Sequence, residues 1–326
     1  MQNPKRPELL LLGLSILVLC VTGATRAQQV AEPSFALKQV GANAWGAIAD
    51  PNAKIPAGGN AGFVIGDDGV VVIDTFGSAE AAAQLLAEIR TRTKLPVKFV
   101  VNTHYHADHV AGNRIFADAG AVVLAHRNVR SWIRPENLKF FGADIKPEQK
   151  AFIEGLMAPT AVYDQAVDLH LGSREIQVRA FPGHTGGDSV VLIPDAKTAF
   201  LGDLFWRNML PNMIDASTQP WIDTVSILAE THADYTFVPG HGDVGTAQDV
   251  AAFRDYLATL QKQVAAARAE GKSGDALTEA VMRTLSAKYG EWDFFKYFAQ
   301  PNILQMDAEL SGSKRIPRAQ ERQPAR

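Results

Sequence analysis

The sequence predicts an α/β fold, in which β-sheets are covered by helices. Two observations support this class: short apolar runs typical of strands alternate with amphipathic segments typical of helices, and both halves of the chain show the alternation. The composition agrees, because 47% of the 326 residues are hydrophobic and 21% are charged, which excludes a disordered chain or a coiled coil. The sequence shows neither an internal repeat nor a Ser/Gly linker, so we expect a single domain.

The N-terminal residues 1–27 are typical of a secretory signal peptide. Lys5 and Arg6 give a positive start, an apolar run of about 13 residues follows, and Ala27 ends a stretch with small residues at the positions that a signal peptidase requires. The run is shorter than the roughly 20 residues that span a bilayer, so we expect no stable membrane anchor after cleavage. We therefore expect a periplasmic or secreted protein without cysteine, since the single Cys20 lies in the removed segment.

The elements of the first half follow from local signals. A hairpin is expected where two apolar runs are separated by the turn sequence Gly-Asp-Asp-Gly at 66–69. An Ala-rich helix follows, with Ser78 as its N-cap and with Leu85 and Ile89 on one face. Strands are expected at 35–40, 45–49, 62–65, 70–73, 97–102 and 121–125, and helices at 78–92 and 110–119.

The second half repeats the alternation. Its longest helix has a capping-box pattern in Thr246 and Asp249. The domain is expected over 28–311, and the polar, Pro-containing residues 312–326 are expected to form a flexible tail. Strands are expected at 168–171, 175–181, 189–193, 198–201 and 236–238, and helices at 222–233 and 246–269.

One segment of the chain has two interpretations. Residues 131–163 contain Trp132, Phe140, Phe141 and Met157, which can form the wall of a pocket or the core of a packed helical insertion. The sequence leaves both interpretations open.

The charge balance disfavours nucleic acid as a partner. The chain has 32 basic and 35 acidic residues, and removal of residues 1–27 would change its net charge from −3 to −5. A nuclease would need a basic groove to hold the phosphate backbone. We therefore expect a small-molecule substrate. The sequence does not indicate whether the protein is a monomer or an oligomer.

Potential metal ligands are concentrated directly after the strand expected at 97–102. His104, His106, Asp108 and His109 fall within six residues, in the order His-x-His-x-Asp-His. Imidazole and carboxylate groups are ligands that suit Zn²⁺. A loop after a buried strand can direct all four side chains into one space, so this motif predicts a metal site.

Three further candidates lie at or near the ends of expected strands. They are His184 in Gly-His-Thr-Gly-Gly, Asp203 in Gly-Asp-Leu and His241 in Pro-Gly-His-Gly. Each is next to a glycine, which allows a tight turn and a close approach of the backbone. Ligand residues at successive strand ends can build one site at the edge of an α/β scaffold.

Together these motifs resemble those of the metallo-β-lactamase superfamily over residues 35–310. The resemblance implies a four-layer αβ/βα sandwich with two zinc ions between its sheets. It also implies that Asp74, in Val-Ile-Asp-Thr, supports the histidine loop instead of binding metal. The implied ligands are His104, His106 and His184 for the first zinc, Asp108, His109 and His241 for the second, and Asp203 for both.

The same resemblance implies a mechanism in which a hydroxide bridging the metals attacks a carbonyl carbon and Asp108 orients that hydroxide. Asn212 matches the lactamase Asn that polarises the substrate carbonyl. Trp206 stands where a lactamase Lys binds the substrate carboxylate, and Arg207 is next to it. Arg207 can bind a carboxylate with two hydrogen bonds, and it is equally consistent with a solvated charge on a loop.

The resulting expectation is a secreted zinc-dependent hydrolase that opens an amide or ester ring as a β-lactamase does. Asp203 stands where many lactamases have Cys, and another lactamase subclass lacks this bridging Asp, so the ligand set looks more like the glyoxalase II and lactonase branches. Thioester or lactone hydrolysis is therefore the alternative, although a signal peptide does not suit a cytosolic glutathione thioester. Iron-dependent persulfide oxidation is a further alternative that a seven-ligand set disfavours.

Overall fold

Two β-sheets packed face to face, with helices on both outer surfaces, form the body of residues 32–317. The structure is a computed structural model, and it describes these residues. The expected signal peptide, residues 1–27, lies outside the described part of the chain, as do residues 318–326 of the expected tail. The α/β class and the sandwich of sheets with flanking helices, both predicted from the sequence, are confirmed.

The first sheet is mixed and keeps its strands in chain order. Its strands are β1 (Phe35–Gly41), β2 (Ala44–Ala49), β3 (Ala61–Ile65), β4 (Val70–Ile73), β5 (Val97–Asn102), β6 (Val122–His126) and β7 (Ala161–Tyr163). Pairing is antiparallel from β1 to β4 and parallel from β4 to β7. The predicted turn 66–69 joins β3 to β4, with Ile65 opposite Val70.

The second sheet is also mixed. Its strands are β8 (Ala166–Leu171), β9 (Arg174–Ala180), β10 (Ser189–Ile193), β11 (Thr198–Trp206) and β12 (Thr236–His241). Pairing is antiparallel from β8 to β11, whereas β12 runs parallel to β11. This parallel pair brings the C-terminal ends of β11 and β12 to the same edge of the sheet.

The helices cover the outer faces of both sheets. They are α1 (Ala79–Arg92), α2 (Ala107–Val110), α3 (Asn113–Asp118), α4 (Arg127–Trp132), α5 (Pro135–Lys139), α6 (Pro147–Glu154), α7 (Thr218–Thr231), α8 (Ala247–Ala269), α9 (Gly274–Tyr289) and α10 (Phe295–Leu310). Leu85 of α1 and Phe116 of α3 share a core cluster with the first sheet. Helices α7 to α10 share another with the second sheet, in which Val225 and Phe253 are buried.

The space between the sheets is filled by apolar side chains from both. Val71 and Val101 of the first sheet belong to one buried cluster with Val178, Val191 and Phe200 of the second. Burial of each such side chain contributes roughly 1.5–3 kcal/mol to folding. The strands whose ends carry the site are therefore held in place by a packed apolar core between the sheets.

Several predicted boundaries were wrong. The helix expected over 110–119 is interrupted between α2 and α3. At this turn the Ala111 amide donates to the Phe76 carbonyl oxygen (3.0 Å) as well as to that of Ala107 (3.1 Å), which ties the turn to the loop before α1. The strand expected at 198–201 continues to Trp206, and the one expected at 236–238 continues to His241. Strand β7 and helices α9 and α10 were not predicted.

No helix within residues 32–317 has both the length and the apolar character needed to cross a lipid bilayer.

Candidate metal centre

The seven predicted ligand residues lie at one edge of the sandwich and come from both sheets. They form two groups in which the ligand atoms lie within 4.8 Å of one another. His104 and His106 follow β5, Asp108 and His109 belong to α2, His184 lies in the turn between β9 and β10, Asp203 lies within β11, and His241 ends β12.

The first group consists of His104, His106, His184 and Asp203, all of which are buried. His184 Nε2 lies 3.0 Å from His106 Nδ1 and 3.3 Å from Asp203 Oδ2. His104 Nε2 lies 3.6 Å from the same carboxylate oxygen. Three imidazole nitrogens and one oxygen therefore face a common point, which is the donor set of a four-coordinate site.

The second group consists of Asp108, His109 and His241. His241 Nε2 lies 3.2 Å from Asp108 Oδ2 and 3.5 Å from His109 Nε2. His109 is fully buried, whereas the Asp108 side chain is 38% exposed. This group is therefore the one that reaches solvent.

Asp203 connects the two groups. Its Oδ2 faces His104 and His184, while its Oδ1 lies 3.1 Å from His109 Nε2 and 3.5 Å from His241 Nε2. The two oxygens of one carboxylate thus face different histidine groups, which is the arrangement that a metal-bridging ligand needs. The sequence placed Asp203 near a strand end, whereas it lies inside β11 directly after Gly202, whose φ of +51° accompanies a break in register with β12.

Asp74 supports the histidine loop through contacts with Thr103 and His109. Its carboxylate accepts hydrogen bonds from the Thr103 amide (2.7 Å) and the Thr103 hydroxyl (2.7 Å), and Oδ2 lies 3.0 Å from His109 Nδ1. The Thr103 hydroxyl also lies 3.0 Å from His104 Nδ1. Because these contacts engage the Nδ1 atoms, they leave the Nε2 atoms of both histidines directed at the site.

Burial keeps part of the ligand set in the form that binds cations. It holds the pKa of His104 well below its usual range and lowers the pKa of His184 to about 3, so both imidazoles are neutral at pH 7. Within the described residues, His104 Nε2 is buried without a hydrogen-bond partner. Such groups are costly unless a ligand satisfies them, so the site fits metal ions.

Sequence reasoning missed the residues that hold His106 and its loop. Asp215 Oδ2 lies 3.7 Å from His106 Nε2 and accepts a hydrogen bond from the Tyr105 hydroxyl. The Asn137 amide nitrogen donates to the Tyr105 carbonyl oxygen (2.8 Å), and its oxygen accepts from the Ala107 amide (3.0 Å). The only signal for Tyr105 was its position between two ligands of the motif.

A cavity of about 680 Å³ opens over both ligand groups, with His106 and Asp203 of the first and Asp108 and His241 of the second in its lining, and residues 131–163 form part of its wall. Phe140 and Phe141 line this cavity, whereas Trp132 packs edge-on against Tyr105 with ring centroids 6.0 Å apart. The Met157 carbonyl accepts a hydrogen bond from Asn113 (3.0 Å). Both interpretations of this segment therefore hold, since it forms a wall and also packs as an insertion.

Two of the three predicted substrate-binding residues lie at the cavity. Asn212 lines it, and so does Trp206, which stacks on His241 with ring centroids 3.9 Å apart. Arg207 does not line it: its Nε lies 3.2 Å from Asp249 Oδ1, and its Nη1 lies 3.9 Å from Asp243 Oδ2. The expectation that Arg207 binds a substrate carboxylate is therefore not supported, because Arg207 pairs outside the cavity with Asp243, which lies between β12 and α8, and with Asp249 in the first turn of α8.

The family model of the metallo-beta-lactamase superfamily matches residues 55–241, more than half of the chain. The chain belongs to this superfamily. A solved structure of similar fold is the metallo-beta-lactamase from Pontibacter korlensis, with a TM-score of 0.57 and 23% identity. The superposition covers 69% of this superfamily member and 99% of the Pontibacter chain, and at this identity it shows the fold alone.

Curated relatives of this superfamily member carry different names. A linear primary-alkylsulfatase from Pseudomonas sp. (strain ATCC 19151) is 21% identical over 254 residues, which cover 66% of this chain and 48% of the relative. A hydroxyacylglutathione hydrolase from Mesorhizobium japonicum is 28% identical over 163 residues, which cover 50% of this chain and 55% of the relative. The chain spans about half the length of these curated relatives.

Proposed function

We propose that the protein is a binuclear zinc hydrolase that cleaves an ester or amide bond, in the manner of a β-lactamase, in a small-molecule substrate. The observation that carries this proposal is the position of Asp203, whose two carboxylate oxygens face two separate histidine groups. A structural aspartate would not need both oxygens directed at ligand nitrogens. Membership of a superfamily of hydrolase-type metalloenzymes supports the proposal.

The residues that would hold the ions are those of the two groups. His104, His106 and His184 would hold one zinc, Asp108, His109 and His241 the other, and Asp203 both. Two zinc ions held there would supply an activated water molecule at neutral pH and polarise a substrate carbonyl. Nitrogen and carboxylate donors without thiolate suit this chemistry.

Residues of the cavity would orient the reactants. Asp108 lines the cavity beside His241 and can accept a hydrogen bond from the attacking water. Asn212 Oδ1 accepts a hydrogen bond from the Ile214 amide (3.1 Å), so the amide nitrogen of Asn212 is the group that can donate to a substrate carbonyl oxygen.

Thioester hydrolysis is the second candidate. Its support is the similarity to a hydroxyacylglutathione hydrolase over half of the chain. The predicted signal peptide argues against a glutathione substrate. A panel of β-lactams, lactones and thioesters would therefore separate the candidates by their relative kcat/KM values.

Metal content tests the proposal without any substrate. Protein purified without chelator should contain about two zinc equivalents per chain, and Asp203→Ala should retain at most about one, because it removes the ligand shared by both ions. Asp118→Ala, which removes an exposed carboxylate on α3, is the matched control and should keep both. A single iron with little zinc would contradict the proposal and favour the oxidative alternative.

We also propose that the protein is exported. Mass spectrometry of the periplasmic or secreted fraction should then show Gln28 as the first residue. A cytosolic protein with its N-terminus intact would contradict export and strengthen the thioester candidate.

A further inference from the structure

The cavity above the metal centre is enclosed by two groups of aromatic side chains. We call Phe140, Phe141 and Phe152 the insertion wall, and Phe294, Tyr297 and Phe298 the helical wall. The insertion wall comes from the segment between β6 and β7. The helical wall comes from Phe294, which directly precedes α10, and from the first turn of α10. The volume of about 680 Å³ is within the range of small-molecule sites.

Both walls lie beside the metal ligands. The ring of Phe140 meets His106 of the first group edge-on, with centroids 5.1 Å apart. On the other side, the ring centroids of Phe294 and Trp206 lie 6.2 Å apart, and Trp206 stacks on His241 of the second group. A molecule whose reacting group lies between the two ligand groups would therefore place its remaining body between the walls.

The aromatic side chains remain open to solvent at the mouth of the cavity. Tyr297 is 73% exposed, Phe152 45%, Phe294 39% and Phe140 38%. Large apolar side chains grouped at a concave surface mark a binding site more often than single exposed ones do. Their position beside a metal centre indicates a small ligand with an apolar body.

Among the described residues that line the cavity, none carries a cationic Lys or Arg side chain that could pair with a substrate anion away from the metal centre. The charged residues in this lining are Asp108 and Asp203, which are ligand candidates. Arg207 faces Asp249, and Lys139 pairs with Glu136 and lines a different cavity. A β-lactam carboxylate or a glutathione thioester would thus enter without a compensating cation among the described lining residues.

We propose that the substrate is an uncharged carboxylic ester with a bulky apolar acyl group, held between the insertion wall and the helical wall. This inference rests on the proposed hydrolase activity and specifies its substrate class. The oxygen of water forms a bond to the ester carbonyl carbon, the bond from that carbon to the alcohol oxygen breaks, and one proton passes to the leaving alcohol. The products are a carboxylate and an alcohol, the second proton of the water is released to solvent, and no oxidant or reductant is needed.

Chain length and charge can be varied separately in one assay with zinc-loaded protein. We expect p-nitrophenyl octanoate to be cleaved with a kcat/KM value about 10-fold or more above that for p-nitrophenyl acetate, because each buried methylene adds binding. The kcat/KM value for the octanoate should also be about 10-fold or more above that for the mono-p-nitrophenyl ester of suberic acid. That ester has the same chain length but ends in a carboxylate, which is costly to bury without a partner.

Variants assign the preference to the walls. Phe152→Ala and Tyr297→Ala should each lower the octanoate-to-acetate ratio by about 3-fold or more. Leu304→Ala, an exposed apolar position on the same α10 that does not line the cavity, is the matched control and should keep the wild-type ratio.

Three results would overturn the inference, and they differ from the failure of the hydrolase proposal. Equal kcat/KM values along the ester series, or faster cleavage of the suberate ester, penicillin or a glutathione thioester, would reject an apolar neutral substrate while the hydrolase stands. A dimer that Tyr297→Ala dissociates, together with a flat ester series, would assign the walls to a subunit interface. No hydrolysis of any of these compounds by protein that holds two zinc ions would reject the hydrolase itself.

Discussion

Asp74 accepts several hydrogen bonds with its side chain, and its backbone has a conformation that most residues avoid. Its φ is +55°, in the left-handed region, where Asp and Asn are tolerated far better than other non-glycine residues. Its carboxylate fixes Thr103 and contacts His109 Nδ1 at 3.0 Å. When Nδ1–H of His109 donates to this carboxylate, Nε2 keeps its lone pair for a metal ion.

Asp74→Asn should weaken zinc binding and leave the fold intact. An amide nitrogen facing His109 Nδ1 favours the other tautomer, in which Nε2 carries the proton and cannot bind zinc. We expect the zinc Kd to rise by about 10–100-fold and the free energy of unfolding to fall by about 1–3 kcal/mol. Competition with a chelating dye measures the first quantity, and urea unfolding in EDTA measures the second. Wild-type zinc affinity in Asp74→Asn would contradict the assigned role, and Asp118→Asn is the control.

At the scale of single residues, the sequence predicted what depends on local spacing. His104, His106, Asp108 and His109 occupy one short segment after a strand, so their convergence follows from the chain itself. Arg207 shows the opposite case, because its direction is set by Asp249, far along the chain at the start of α8. Asp215 was missed for the same reason, since it meets His106 only in the folded protein.

Strands β11 and β12 approach each other very closely where they carry Asp203 and His241. A Cβ atom added to Gly240 would lie 1.9 Å from Asp203 Oδ1 and 2.8 Å from the Asp203 amide nitrogen. The position therefore requires glycine for a reason of space, because a side chain there must displace the bridging carboxylate or separate the two strands.

Gly240→Ala should consequently damage the metal centre more than the fold. We expect zinc affinity to fall by about 10-fold or more, as for the loss of a residue that holds a ligand in place, and the far-ultraviolet circular dichroism to stay close to wild type. Gly46→Ala in β2 is the matched control, because its nearest neighbour would lie at an ordinary 3.4 Å. Equal zinc affinity of Gly240→Ala and wild type, determined by competition with a chelating dye, would disprove this account.

Elements with a strong local signal were predicted, whereas others depended on packing. The long helix α8 has its predicted capping box, with the Thr246 amide donating to Asp249 (2.8 Å). Helix α10 was missed because Pro301 lies inside it and its apolar side chains serve two surfaces, the core at Ile303 and the cavity at Phe298. Helix α9 had a usable signal, since Leu277, Val281 and Leu285 recur at helical spacing.

At the scale of the molecule, the metal centre joins the two sheets. His104 follows β5 of the first sheet, whereas Asp203 and His241 belong to β11 and β12 of the second. The alternation of strands and helices predicted the α/β class, and the resemblance of the motifs predicted the sandwich. Local pattern alone could not give the pairing of the sheets, because it depends on the shared core that joins residues such as Val71 and Val191.

Because the ligands come from both sheets, zinc should act as a cross-link that stabilises the whole fold. Binding to the native state alone adds about 4 kcal/mol when free zinc is roughly 1,000 times its Kd, which corresponds to a rise in Tm of about 5–10 °C for a domain that extends over residues 32–317. Thermal unfolding with zinc and with EDTA measures the difference.

His184→Ala should lose most of this rise in Tm, because the turn between β9 and β10 is then no longer tied to His106. His232→Ala, at the end of α7 and outside both ligand groups, should keep the rise. A Tm that does not respond to zinc in the wild-type protein would mean that the two groups do not hold ions across the sheets.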